Sequence, residues 1–164
     1  YSHLNISFSP TAVVARESPE ELEFLLHAQK EYETPIGGGS TLANHDLKES
    51  EIEGYEKCKV KTTVLSDFIF NLAMSKNAID IIEKEDGTKF SCFNKGKLKI
   101  ILKLDIEGAE YSVIRDLLST GAAWAISELF VEFHGRRFKE DKRDEEVFLV
   151  GELFQRGVVV QPWA

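Results

Sequence analysis

The chain has 164 residues, which predicts one domain over residues 1–164, and its 43% hydrophobic content is enough for a single sizeable core. A formal net charge of −8 argues against a surface that neutralises a phosphate backbone, so we expect no nucleic-acid partner. No apolar run reaches the ~18 residues that span a bilayer, which predicts a cytoplasmic protein without a membrane partner.

The first predicted elements are short β-rich segments at residues 4–8 and 11–15, which form one bent strand or two. The chain therefore starts inside predicted sheet, and we expect that upstream sequence is missing. Residues 18–21 (SPEE) form a capping box with proline at the first helical position, so local rules predict a helix towards Tyr32. The apolar residues 22–28 could instead pair as a strand.

The next part of the sequence is polar. A loop is predicted at residues 34–45, where the glycine run at 37–40 lacks the lysine and spacing of a phosphate-binding loop and indicates a flexible loop or lid. Residues 46–57 are acidic and predict a solvated segment. Cys58 and Cys92 fit no metal-ligand spacing, which predicts two reduced thiols.

A strand, a helix and a hairpin are predicted next. Residues 58–65 alternate as a half-buried strand does, and Ser66 or Asp67 then caps an apolar helix. Between two β-rich arms, Asp86-Gly87 is a strong hairpin signal, so residues 77–97 are predicted to be a hairpin insert in the domain.

Residues 98–118 change periodicity within a short polar turn. Before the turn, apolar residues follow one another as in a strand buried on both faces, and these are Ile100, Ile101, Leu102 and Leu104. After it, apolar residues recur at helical spacing, at Ala109, Val113, Ile114, Leu117 and Leu118. The turn carries the carboxylates of Asp105, Glu107 and Glu110. In an open α/β sheet ligands bind beyond the carboxyl ends of the strands, so this turn is a candidate site.

Strands and helices alternate through the remaining sequence, which predicts an α/β fold with a parallel or mostly parallel sheet. Gly121 ends the central helix, and a strand at residues 125–133 leads directly into His134. The charged residues 136–144 form a solvated connection or a lid. A helix is predicted from Asp144 to about Arg156, with a shared apolar face of Val147, Val150, Leu153 and Phe154, and a strand follows from residue 158.

Ionisable side chains collect at the ends of the two central strands. Residues two apart on a strand point to the same face, so Lys103 and Asp105 share a face, as do Glu132 and His134. If the strands are neighbours, these four groups converge at the carboxyl-terminal edge of the sheet. Lys103 lies within an otherwise apolar strand, where a buried ammonium needs a partner, and Asp105 is the obvious one.

Structural and chemical interpretations of this set both remain open. In the structural one, Asp105 pairs with the strand lysine, and Glu107 and Glu110 occupy the positive end of a helix. In one chemical interpretation, His134 or Asp105 accepts a proton from a substrate hydroxyl. In another, Asp105, Glu132 and His134 hold a divalent metal, and Mg or Mn suits this oxygen-rich set better than a structural zinc.

The segment LKLDIEGAEYSVIRDL, followed further along by VEFHG, resembles the FkbM family of S-adenosylmethionine-dependent methyltransferases. The segment KVKTTVLSDFI is also similar, and a weaker likeness extends upstream to about Phe8. The resemblance is most specific at residues 103–110 and 132–134. It implies a Rossmann-like class I methyltransferase sheet, S-adenosylmethionine as the cofactor, and O-methylation of a hydroxyl on a small molecule or sugar.

By that resemblance, the catalytic residues end two strands of the sheet and are Asp105, His134, Glu132 and Lys103. Glu107 and Glu110 are then expected to contact substrate or to support the catalytic set. The glycine-rich turn that cradles the cofactor in such enzymes is not found before Phe8, so the chain resembles the carboxyl-terminal part of the domain, without its first strands. An exposed sheet edge would favour a homo-oligomer.

Three functional hypotheses follow. The leading one is an S-adenosylmethionine-dependent O-methyltransferase. The second is a non-catalytic α/β interaction module that retains the fold. The third is a metal-dependent hydrolase that uses the same carboxylates.

Overall fold

The computed structural model describes residues 9, 11–27, 41–42, 55–106, 108–135, 138 and 140–163. The predictions for the strand at residues 4–8, for the glycine-rich run and for Glu107 lie outside the described residues. Contacts divide the chain into two compact units, Tyr1–Val13 with Pro19–Thr63, and Val14–Ser18 with Val64–Ala164.

The first unit contains most of a four-stranded sheet with the order β1-β4-β2-β3. Its strands are β1 (Ala12–Val14), β2 (Glu21–His27), β3 (Thr41–Leu42) and β4 (Tyr55–Val64). The helix predicted from the capping box is wrong, and the strand alternative is correct. Strand β2 pairs with β4 in antiparallel register from Glu21↔Lys61 to His27↔Tyr55, and this extended pairing outweighs a local cap signal. Residues 55–57, predicted to be solvated, are the start of β4.

The second unit contains three helices, a hairpin and a parallel sheet. The helices are α1 (Leu65–Ser75), α2 (Glu110–Thr120) and α3 (Arg143–Gln155), and a short 3-10 helix spans Ala122–Ala125. The hairpin strands are β5 (Ile79–Glu83) and β6 (Lys89–Phe93). The parallel sheet has the order β7-β8-β9, with β7 (Ile100–Leu104), β8 (Ile126–Val131) and β9 (Val159–Pro162). The α/β class is therefore confirmed.

The hairpin expected around Asp86-Gly87 is present, with Ile82 opposite Phe90 near its turn; that it is an insert stays a prediction. The cap predicted for α1 is wrong. The helix follows β4 directly, with Val64 at the N-cap and no side-chain cap. The hydroxyl of Ser66 instead donates to Asp116 of α2, 2.5 Å away, and ties the two helices together.

Three predictions about the sheet need correction. Among the strand pairs of known direction, β7·β8 and β8·β9 are parallel whereas β2·β3, β2·β4 and β5·β6 are antiparallel, so "mostly parallel" does not hold for them. Strand β7 is not buried on both faces, because Ile101 is 56% exposed while Leu104 is buried. Strand β8 begins at Ile126, since the residues before it form the 3-10 helix that follows the left-handed cap at Gly121.

The core of the second unit lies between the helices and one face of the parallel sheet. Buried side chains come from all three helices and from β7 and β8, and include Ile69, Leu104, Ile114, Leu117, Leu129, Leu149 and Leu153. The apolar face predicted for α3 is partly wrong, because Val147 and Phe154 are exposed while Leu149 is buried with Leu153. Cys58 and Cys92 are free thiols. None of the described helices has the length and apolar character that a membrane crossing requires.

Candidate functional site

The candidate site lies where β7 and β8 end side by side. Leu104 is paired with Val131 in parallel register, and the Glu132 amide donates to the Leu104 carbonyl at 3.0 Å. Asp105 and Glu132 therefore leave the two strands at the same level. The predicted neighbourhood of the two strands is confirmed.

Asp105, Glu132 and His134 form a compact cluster, called the strand-end cluster below. The His134 Nε2 atom lies 3.7 Å from Glu132 Oε1 and 4.0 Å from Asp105 Oδ1. The histidine is buried, with 3% of its side chain exposed, whereas 37% of Asp105 and 32% of Glu132 are exposed. One edge of the imidazole thus faces two carboxylates that a molecule in solution can reach.

The opposite edge of the same ring is held by Glu110, the first residue of α2. The Glu110 carboxylate is fully buried, and its Oε1 atom lies 2.9 Å from His134 Nδ1. The same carboxylate accepts hydrogen bonds from the backbone amides of Ile106, at 2.8 Å, and Gly108, at 2.9 Å. Glu110 therefore fixes both the turn after β7 and the histidine that follows β8.

This arrangement assigns the tautomer of His134. A carboxylate offers only acceptor atoms, so the contact with Glu110 places the proton on Nδ1. In the neutral ring, Nε2 then carries the lone pair and faces Asp105 and Glu132. A buried carboxylate behind a histidine is the usual means of setting the direction of a basic or metal-binding nitrogen.

Lys103 joins the strand-end cluster through Asp105 alone. Its Nζ atom lies 3.2 Å from Asp105 Oδ2, so the predicted ion pair is present. Its ammonium is not buried as the apolar strand suggested, because 48% of the side chain is exposed. It also lies 4.7 Å from the centroid of the Trp163 ring, after β9. Sequence reasoning missed Trp163, which only the pairing of β9 with β8 brings to this position.

Replacing Lys103 by methionine is expected to change the free energy of unfolding by less than about 1 kcal/mol, because exposed ion pairs contribute little. Chemical denaturation measures the change. Lys99→Met is the matched control, since Lys99 is also exposed and pairs with Glu128 at 2.7 Å. If Lys103→Met lowers the free energy of unfolding by about 2 kcal/mol more than Lys99→Met does, the Lys103–Asp105 pair behaves energetically as a buried ion pair.

Beyond His134, the chain passes close to two helices. A Cβ atom at Gly135 would lie 2.5 Å from Glu146 Oε1 and 2.8 Å from the Tyr111 hydroxyl, so this position has no room for a side chain. The Tyr111 hydroxyl donates to Glu146 Oε1, and its ring contacts Phe133 with centroids 5.4 Å apart. Tyr111 and Glu146 were not singled out from sequence, because they lie on different helices and no motif connects them.

The pH dependence of stability offers a test of this packing. Burial, the hydrogen bond to Glu146 and nearby carboxylates raise the pKa of Tyr111 above its ordinary value of 10. The folded state therefore keeps this proton where the unfolded chain has lost it, so the contribution to stability is complete below about pH 10 and decreases as the pH rises further. We expect the stability of the unaltered protein to fall more steeply above about pH 10 than that of Tyr111→Phe. Equal slopes in the denaturation curves of the two chains would contradict the burial of this phenol.

The strand-end cluster also fits a divalent metal ion. One ligand atom from each of Asp105, Glu132 and His134 can be chosen so that all lie within 4.8 Å of one another. Two carboxylate oxygens and one imidazole nitrogen suit Mg or Mn. Glu110 would then hold the ligating histidine from behind, as second carboxylates commonly do at metal sites.

Comparison with known proteins adds one finding. A family model described as the methyltransferase FkbM domain matches residues 8–156. Searches of curated proteins and of solved structures found no match. The matched region contains every residue of the strand-end cluster, together with Lys103 and Glu110.

Proposed function

The chain belongs to the FkbM methyltransferase family, and on that premise we propose that it transfers the methyl group of S-adenosylmethionine to a hydroxyl oxygen of a small molecule or sugar. Membership of a methyltransferase family implies this donor in general. We also propose that β7, β8 and β9 belong to a Rossmann-like class I sheet. The polar cluster beyond their carboxyl ends, where such sheets bind ligands, supports this assignment.

The observation that carries the proposal is the oriented imidazole of His134. Glu110 holds Nδ1, so the basic Nε2 atom faces the open side of the cluster. The carboxylates of Asp105 and Glu132, 4.0 and 3.7 Å from Nε2, are partly exposed, so a substrate can approach this edge of the ring. An acceptor hydroxyl that donates its proton to Nε2 would suit this position.

The residues of the cluster have distinct roles in this proposal. His134 accepts the proton of the acceptor hydroxyl, which makes the oxygen a better nucleophile. The carboxylates of Asp105 and Glu132 stabilise the imidazolium that this transfer produces. Lys103 holds Asp105 in place through its ion pair. S-adenosylmethionine, when bound, supplies an electrophilic methyl group on sulfur.

The strand-end cluster fits the acceptor half of such a site. Its groups are a base and carboxylates, which handle a proton, and we assign none of them to the adenosine of the donor. A divalent ion held by Asp105, Glu132 and His134 is the alternative way to activate the same hydroxyl, because a metal lowers the pKa of a bound oxygen.

The proposal is tested with the purified chain and S-adenosylmethionine labelled in its methyl group. Panels of alcohols, phenols and monosaccharides are compared with matching amines and thiols. We expect label on a hydroxyl acceptor, with one S-adenosylhomocysteine formed per transferred methyl. Label on amines or thiols alone would contradict O-methylation. No labelled product in either panel, with no donor binding by calorimetry, would contradict a transferase activity and favour the interaction module.

A chelator distinguishes the two ways of activating the hydroxyl. If His134 acts as the base, transfer continues in the presence of EDTA. If transfer stops and added Mg or Mn restores it, the cluster works through a metal. Hydrolytic activity that needs added metal and no methyl donor would favour the hydrolase hypothesis instead.

A further inference from the structure

A cavity of about 640 Å³ lies at the opposite end of the parallel sheet from the strand-end cluster. It is lined by Lys95, which precedes β7, by Trp124, which precedes β8, and by Arg156, which precedes β9. These positions mark the amino-terminal ends of the three strands. Small-molecule sites have volumes of about 300–1,000 Å³, so the cavity is large enough for a ligand.

The walls of this cavity are largely aromatic and apolar. Phe70 of α1 and Phe93 of β6 contact each other with ring centroids 5.3 Å apart, and Ile79 of β5 adds an aliphatic side. Trp124 also lines the cavity, yet about half of its surface is exposed to solvent. An exposed indole beside aromatic walls is suited to contact with a flat apolar group.

The polar side of the cavity is dominated by Lys95. Its Nζ atom donates to the carbonyls of Ile126, at 2.8 Å, and Gly157, at 3.1 Å. An ammonium has three protons, so one donor remains after these two bonds. Burial lowers the pKa of Lys95. An anion in the cavity would supply both an acceptor and the opposite charge.

Arg156 adds a second cation to the same wall. Its Nη1 atom donates to the Glu152 carboxylate at 2.9 Å, whereas its Nε is buried and has no acceptor among the described residues. Among the described residues, Arg156 thus has a carboxylate partner, whereas Lys95 bonds only to backbone carbonyls. A purely structural role is the competing explanation, because cations are favourable near helix carboxyl termini such as those of α2 and α3.

We propose that this cavity binds a small aromatic carboxylate. The ring lies between Trp124 and Phe93, and the carboxylate accepts the remaining proton of Lys95. The structural explanation accounts for the two cations but not for the uncovered indole and aromatic walls beside them. The ligand is bound without a chemical step, and the site is separate from the methyl-transfer site proposed above.

Calorimetry on the whole chain with naphthalene-2-carboxylate, compared with the neutral naphthalene-2-methanol, tests the proposal. We expect the carboxylate to bind at least about tenfold more tightly than the alcohol, the factor that one charge-assisted hydrogen bond supplies. Lys95→Met should remove that advantage and leave alcohol binding unchanged. Lys97→Met is the matched control, because Lys97 pairs with Asp80 at 2.6 Å and does not line the cavity.

Equal binding of the two compounds, or an unchanged preference in Lys95→Met, would overturn the proposal, as would no binding at millimolar concentration. A second measurement covers the case in which Lys95→Met does not fold. Cys92 lines the cavity, so in a Cys58→Ser chain naphthalene-2-carboxylate should slow alkylation of Cys92 by N-ethylmaleimide more than the alcohol does. An alkylation rate that saturating carboxylate leaves unchanged would also overturn the proposal.

Discussion

Replacing Glu110 by alanine is expected to lower the free energy of unfolding by about 3 kcal/mol or more, because each buried donor left without an acceptor costs about 1–3 kcal/mol. The substitution removes the acceptor for three donors at once, the amides of Ile106 and Gly108 and the Nδ1–H of His134. The carboxylate is fully buried, so water reaches these donors only after the turn has opened. Chemical denaturation of the two chains measures the loss.

Two further variants separate the hydrogen bonds from the charge. Glu110→Gln keeps one oxygen, which can still accept from Ile106 and His134, but turns an amide donor towards the Gly108 N–H. We therefore expect its stability to lie between those of the unaltered chain and the alanine variant. Asp144→Ala is the matched control, because Asp144 is an exposed carboxylate in the first turn of α3.

In the Asp144→Ala control, the free energy of unfolding should fall by no more than the helix-dipole contribution, about 0.3–1 kcal/mol. If Glu110→Ala loses no more than Asp144→Ala, then Glu110 is simply a favourable charge at a helix amino terminus. In that case the orientation of His134 must have another source.

The convergence of the strand-end cluster could be predicted from sequence because it depends on two rules only. Alternation along a strand places Lys103 with Asp105, and neighbouring parallel strands end at the same edge of a sheet. The pairing of Leu104 with Val131 shows that β7 and β8 are neighbouring parallel strands that end at the same level. The family resemblance is likewise confirmed, because the family model matches residues 8–156, which include the residues that end these strands.

The role of Glu110 could not be predicted in the same way. In sequence, a glutamate at the start of a helix indicates a favourable interaction with the helix dipole. Its actual direction depends on the turn before α2, where Gly108 has a φ of 106°, a value that other residues rarely adopt. That turn folds the chain back so that two amides point at the carboxylate. The periodicity of the sequence does not predict the backbone conformation of such a turn.

Two further errors have tertiary causes. Helix α3 has apolar residues on several sides, so periodicity could not decide which ones face the core; Leu149 and Leu153, one turn apart, are the buried pair. The segment after Pro19 carried a good helix-start signal, yet seven cross-strand pairs with β4 hold it extended. Local propensity was outweighed by contacts with residues far away in sequence.

Replacing His134 by glutamine is expected to reduce kcat for methyl transfer by about 10²–10⁴-fold, the usual contribution of a positioned general base. Glutamine retains polar atoms of similar reach but has no nitrogen that accepts a proton at neutral pH. Initial rates with labelled donor and a hydroxyl acceptor measure the effect, and circular dichroism confirms that the variant is folded. Glu132→Gln should reduce kcat less than His134→Gln does, because Asp105 still faces the imidazole ring.

Glu128→Gln is the matched control for the glutamate, since Glu128 lies on the same strand but pairs with Lys99. Its kcat should equal that of the unaltered chain. Imidazole added to His134→Ala distinguishes the role of the ring, because a free base can replace a missing proton acceptor, whereas restoration by higher Mg or Mn concentration alone would identify His134 as a metal ligand. A kcat in His134→Gln within threefold of the original would exclude His134 as the base, and the same result in His134→Ala would exclude it as a metal ligand too. Methyl transfer would then have to rely on positioning of the acceptor beside the donor, without a base from the residues that follow β8.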